Sequence, residues 1–169
     1  MTKTFKAYLA GFLDADGSIY VRLKPNPTYK YGFQIAPSVV FFQKKTSKKL
    51  FENLKEKTKL GYLRYRKDGI IEYTIGDRQS IKKILELTLP YLQLKKKQAK
   101  LMLIILEKSQ SIQSPQEFLE VTTLIDKFAK LNYSKKRVIN TQMVRNHMRM
   151  NRWPRRDLSN QRLDRWSNP

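Results

Sequence analysis

Cysteine is absent from this 169-residue chain, and histidine occurs once, as His147. The first absence excludes disulfides and thiolate metal sites, and the second argues against His-rich metal centres. Acids are scarce too: 14 Asp and Glu stand against 35 Lys and Arg, a formal net charge of +21. No stretch approaches the roughly 20 apolar residues of a membrane-spanning helix. Residues 1–8 lack the apolar segment of a secretory signal. The expectation is a chain without membrane span or targeting peptide. What is present is a 40% hydrophobic share, enough for one core. So large a basic excess calls for a polyanionic partner, with nucleic acid first, because counterion release rewards clustered Lys and Arg.

One run stands out: Leu9-Ala10-Gly11-Phe12-Leu13-Asp14-Ala15-Asp16-Gly17. Ala7, Ala10, Gly11 and Asp14 fall at helical i, i+3 and i+4 spacings, a small-residue stripe that lets two helix backbones approach closely. The bland alternative is a helix packed on its own sheet. Gly11 favours the first reading, because glycine in mid-helix costs about 1 kcal/mol relative to alanine unless close approach returns it. Asp14 and Asp16 follow at the helix C-terminal end, where the dipole disfavours anions. Two acids there call for compensation by a metal, a donor or another helix. The run occurs once, and phosphodiester chemistry usually needs a pair of acids. Two copies of the chain, meeting at this helix, would supply the pair.

The periodicity predicts a helix over residues 5–14, with Thr2 or Thr4 as caps, and a half-buried strand over 18–24. A second strand, 33–43, contains Pro37, which implies an edge or a bulge. A helix at 47–57 precedes a hairpin of 62–66 and 70–75, turned at Asp68-Gly69. Further helices are expected at 80–87, 95–108 and from Ser114 to about residue 131. The order αββαββα with extra C-terminal helices reads as an α+β fold, its helices on one face of an antiparallel sheet. The other face would carry Arg22, Lys24, Gln34, Arg64, Arg66, Glu72 and Thr74. Four basic residues on two hairpins exceed what a merely solvated face requires. The expected division is a core domain at 1–134 and a basic extension at 135–169. Eight of the twelve arginines lie in that extension, interleaved with Trp153 and Trp166. Arginine on phosphate with tryptophan packing or stacking is the functional reading, and a solvated tail the bland one.

The run resembles the motif of the LAGLIDADG homing endonucleases. Downstream, Lys24-Pro25-Asn26, Gln43-Lys44, Gly61-Tyr62-Leu63-Arg64, Leu94-Lys95-Lys96-Lys97-Gln98-Ala99, Phe118-Leu119-Glu120-Val121 and Leu131-Asn132-Tyr133-Ser134-Lys135 stand where the single-motif branch places similar segments. That branch includes the homodimeric intron-encoded enzymes of algal chloroplasts. The resemblance implies a homodimer cutting double-stranded DNA in intron homing, with an organellar location, chloroplast or mitochondrion. It implies magnesium, two or more ions per dimer at the interface, held by Asp16 and the Ala15 carbonyl. Asp14 becomes a structural cap across the dimer, beside Ala7, Ala10 and Gly11. Gln43 positions water, while Lys48 and Lys95 form a basic shell. The two sheets form a saddle in consecutive major grooves. Candidate DNA contacts are Arg22, Lys24, Asn26, Thr28, Tyr29, Gln34, Ser38, Arg64, Arg66, Glu72 and Thr74, with Lys135 and Lys136 on the backbone. Twofold symmetry implies a long pseudo-palindromic target. The alternatives are an RNA-binding intron maturase and a binding-only relative of the same fold. The intact Asp16, Gln43 and Lys95 set favours cleavage.

Overall fold

The computed structural model describes residues 1–132 and 139–150. Helix α1, Lys3–Asp16, starts at Thr2, whose hydroxyl accepts the Phe5 N–H at 3.3 Å, and runs directly into strand β1, Gly17–Pro25. It is longer at both ends than residues 5–14, because the polypeptide leaves the helix only at Gly17. A Cβ there would lie 2.7 Å from the Leu13 carbonyl oxygen, so this junction admits only glycine.

Strand β2, Phe33–Lys44, pairs antiparallel with β1, from Gly17↔Phe41 to Pro25↔Phe33. Helix α2 is Lys48–Thr58. Strands β3, Tyr62–Tyr65, and β4, Ile70–Ile75, form the expected hairpin. The four strands are ordered β1-β2-β4-β3, so β2 and β4 are central. Pro37 nevertheless sits on a local edge. The β2–β4 ladder ends at Val39↔Ile75, and beyond it β2 has only β1, with no bulge in that register.

Helices α3, Arg78–Thr88, α4, Lys96–Lys108, and α5, Pro115–Leu131, follow. The core forms between the sheet and the helices. Ile19, Val21 and Leu23 of β1 and Val39 and Phe41 of β2 alternate inward with Ile71, Tyr73 and Ile75 of β4, as period-two strands require. Phe12 of α1 stacks on Phe51 of α2 at 5.8 Å and 27°, and Phe12 against Phe41 at 5.5 Å and Phe51 against Tyr73 at 6.2 Å tie both helices to the sheet. A last helix, α6, Thr141–Met150, lies beyond position 134 and adds Val144 and Met148 to the same core. No described helix is long and apolar enough to cross a membrane.

Candidate metal centre and nucleic-acid interface

The end of α1 holds the chemistry. Asp14 is 9% exposed, and its carboxylate accepts three backbone N–H groups: Gln93 at 2.7 Å, Leu94 at 3.2 Å and Lys95 at 2.9 Å. These groups lie on the turn that leads into α4, whose N-cap is Lys95, so the negative end of one helix meets the approach to the positive end of another. Lys95 Nζ returns the favour by donating to the Asp14 carbonyl oxygen. Within the subunit, Asp14 thus holds the segment of residues 93–95 that leads into α4. Burial pushes the Lys95 ammonium below the usual lysine range, and the charges of Asp14 and Asp16 oppose that shift.

Asp16 lies two residues on and is exposed. Gln43 Nε2 donates to its Oδ2 at 3.2 Å, and Gln43 Oε1 accepts the Lys44 N–H at 3.0 Å, which fixes the amide's orientation. The register explains the meeting: Gly17 opposes Phe41, so the residue before Gly17 runs alongside the end of β2. Among the described residues no donor reaches Asp16 Oδ1, and no three His, Asp or Glu residues gather to hold a cation. One chain therefore offers hard oxygen ligands, Asp16 with the exposed Ala15 beside it, but too few to close a magnesium shell. The donor type fits the metal, and the remaining positions are open to water, phosphate or a second subunit. Lys48 is not drawn into this cluster: its Nζ pairs with Glu52 at 3.3 Å on the surface of α2.

The small-residue stripe divides into two faces. Ala10 is fully buried and Asp14 nearly so, both turned into the chain's own core. Ala7, Gly11 and Ala15, with Thr4 and Tyr8, form the exposed face, and a Cβ on Gly11 would meet nothing within 4 Å. Ala10 thus packs within the subunit, because Leu9, Ala10 and Leu13 make the side of α1 that faces inward. Helical spacing showed that a stripe exists but not which of its members point out. Leu94, on the segment that caps Asp14, is 76% exposed.

The outer face of the sheet is a trough of about 540 Å³. Arg22, Lys24, Tyr29, Gln34 and Arg64 line it, and Ser38, Glu72 and Thr74, each under a tenth exposed, make its floor. Burial leaves these three little surface for a ligand. Glu72 is instead an anchor, pairing with Arg64 at 3.5 Å and Arg66 at 3.3 Å, while Arg66 also pairs with Asp68. Asn26 and Thr28 meet at the tip of the β1–β2 hairpin, where Asn26 Oδ1 accepts the Thr28 N–H at 3.1 Å and its hydroxyl at 2.7 Å. Tyr20, Tyr62 and Arg78 also line the trough and were missed. Tyr20 and Tyr62 were visible in the alternation, since they lie two residues before Arg22 and Arg64 on the same face. Lys135, Lys136, Trp153, Trp166 and the arginines at 137, 152, 155, 156, 162 and 165 lie outside the described residues.

Comparison with known proteins agrees with this geometry. The DNA endonuclease I-CreI of Chlamydomonas reinhardtii is 38% identical over 144 residues, 85% of this chain and 88% of the relative. The DNA endonuclease I-CvuI of Chlorella vulgaris is 37% identical over 139 residues, 82% and 86%. The crystal structure of the homing endonuclease I-CvuI in complex with its target in the presence of calcium superposes with a TM-score of 0.84 at 34% identity, covering 88% of this chain and 94% of that one. An archaeal intron-encoded homing endonuclease complexed with DNA, I-Vdi141I, shares the fold at a TM-score of 0.77 and 18% identity, over 88% and 98%. The profile described as LAGLIDADG endonuclease matches residues 9–107, and the chain belongs to that family.

Proposed function

We propose that this chain is a site-specific endonuclease of double-stranded DNA that works as a homodimer and serves intron homing in an organelle. The observation that carries the reading is the continuity of α1 and β1. One backbone joins an uncovered small-residue helix face, an exposed Asp16 and the first strand of a basic trough. Two copies meeting on the Ala7, Gly11 and Ala15 face bring two Asp16 carboxylates together and set two troughs end to end. A β-ribbon fits the major groove, and arginine to guanine or glutamine to adenine are favourable pairings there. Arg22, Lys24, Gln34 and Arg64 are the residues placed to make them. Lys135 and Lys136 add backbone contacts. A twofold pair of troughs calls for a pseudo-palindromic site.

Asp16 and the Ala15 carbonyl of both subunits would hold magnesium, two or more ions per dimer. When bound, magnesium supplies Lewis acidity to water and neutralises charge at the scissile phosphate. Gln43, its amide fixed by Lys44 N–H, orients solvent beside Asp16. Lys95 presents positive charge at the same helix end, where it opposes the charge that develops on the phosphate oxygens.

The test is Asp16→Asn assayed by plasmid nicking and by gel shift on sites selected by the wild-type chain. Cleavage should vanish while binding persists. Wild-type cutting by this variant would overturn the assignment, as would sedimentation of a lone monomer on the selected duplex.

A further inference from the structure

The β1–β2 tip carries Asn26, Thr28 and Tyr29, yet little in the sheet holds it in place. Internally it is rigid: Asn26 N–H donates to the Gly32 carbonyl at 2.8 Å, and Gly32 N–H to the Tyr29 carbonyl at 2.8 Å. A rigid loop still swings if its arm bends. Beyond Pro37 that arm is only two strands wide, and a two-stranded hairpin is marginal by itself. Support therefore comes from outside the sheet. On one flank Lys30 Nζ donates to the Gln113 carbonyl at 3.0 Å, and Tyr31 stacks on Phe118 at 4.7 Å.

Behind the tip stands α6. The His147 ring covers Gly32 so closely that a Cβ there would lie 2.7 Å from Nε2, and it meets Phe33 edge-on at 5.1 Å and 75°. Gly32 has φ +74, a conformation that favours glycine, so bare backbone makes the seat for the ring. The helix is itself fixed. Asn140 Oδ1 accepts the Met143 N–H at 2.9 Å, Asp126 Oδ2 accepts the Thr141 N–H at 2.9 Å, and Val144 and Met148 are buried.

We propose that α6 is a buttress for DNA reading and that His147 is its positioning residue. Seated on Gly32 and Phe33, the ring sets the angle of the tip against the trough and thereby the discrimination of the outermost base pairs of each half-site. The inference rests on the trough being the DNA-binding face. Distance says which pairs are concerned. Nine strand residues separate Asp16 from the tip at about 3.4 Å each, close to the per-strand phosphate spacing of about 3.4 Å. The tip therefore reads roughly eight or nine steps from the centre. A residue that merely stabilised the fold would weaken reading at every position alike.

The experiment uses the full chain and a duplex selected by the wild type from a randomised library. His147→Ala and His147→Phe are compared with wild type in competition binding against single mismatches along the half-site. A mismatch ordinarily costs roughly fivefold to a hundredfold in affinity. In His147→Ala the outer penalties should fall below about threefold while the inner ones and cleavage of saturated duplex hold. His147→Phe, which restores a flat ring, should recover most of the outer discrimination. Gly32→Ala should damage outer discrimination less in the His147→Ala background than in wild type, since the two changes share one clash. Equal loss at all positions, or unchanged outer penalties with specific binding intact, would refute the buttress. Absence of sequence-specific binding by the wild type would overturn the proposed function and this inference with it.

Discussion

Asp14 and Asp16 leave the same helix end two residues apart and enter opposite environments. Asp14 is buried with three N–H donors on its carboxylate. Asp16 is exposed, with one side-chain amide on one oxygen. Two helical positions are about 200° of rotation, so one acid turns toward the chain's own α4 and the other away from it. The first spends its charge on folding. The second keeps its charge available, at a site where the helix dipole makes that costly.

The largest effect expected on stability follows from this contrast. Asp14→Ala orphans three donors at the start of α4 and should cost about 3 kcal/mol, given roughly 1.5–3 for a hydrogen bond to a charged group and partial rescue by water. Asp16→Asn removes an anion from a helix C-terminus and should leave stability unchanged or raise it by a few tenths of a kcal/mol. Urea denaturation of both variants checks the pair. Equal midpoints would erase the distinction between structural and available carboxylate.

Lys95 bridges the two environments, since it caps the Asp14 carbonyl and sits within reach of both charges. Lys95→Met should lower the single-turnover cleavage rate about a hundredfold, within the range seen when one preorganised electrostatic group is removed. The pH profile sharpens the point. Burial lowers the Lys95 pKa, so its charge is lost earlier as pH rises than for an ordinary lysine. Cleavage should therefore decline on the alkaline side at a lower pH than an ordinary lysine would impose. Lys95→Arg keeps its charge throughout and should move that decline upward. An unmoved alkaline limb would assign it to another group.

The legible parts of this molecule were those written within one element. The helix-to-strand run, the alternation in β1 and the Asp68-Gly69 turn gave the fold class and the basic sheet face from local pattern alone. Asp16 and Gln43 were found through family resemblance, and the structure brings them together at 3.2 Å. Asp14 was harder to place. Its partners lie some 80 residues downstream, and no periodicity carries a contact of that range. The burial of Ala10 within the subunit was hidden for a related reason. A stripe of small residues marks close packing on either side of a helix, and only the position of the sheet decides which side faces out.

Gly11 tests that division of α1 with an effect near 1 kcal/mol in each direction. Beyond the helix's own neighbouring backbone, no described atom of the subunit lies within 4 Å of a Cβ placed there. Gly11→Ala should stabilise an isolated subunit by up to about 1 kcal/mol through helix propensity. The same methyl should loosen a dimer whose helices touch at this point. Sedimentation equilibrium and thermal melting therefore move oppositely: weaker association, higher monomer stability. Association that tightens, or stays the same, would place the subunit contact elsewhere on the chain.

Lys48 carries the smallest expected change. It occupies the first turn of α2, where the dipole disfavours a cation, and pairs with Glu52 while more than half exposed. A pair of that kind, with lysine preceding glutamate, is worth a few tenths of a kcal/mol at most. Lys48→Ala should shift stability by less than about 0.5 kcal/mol and should slow cleavage less than Lys95→Met does. If cleavage falls as far as with Lys95→Met while stability holds, Lys48 exchanges Glu52 for a phosphate oxygen once duplex is bound. The basic shell around Asp16 would then be assembled by DNA rather than built into the free subunit.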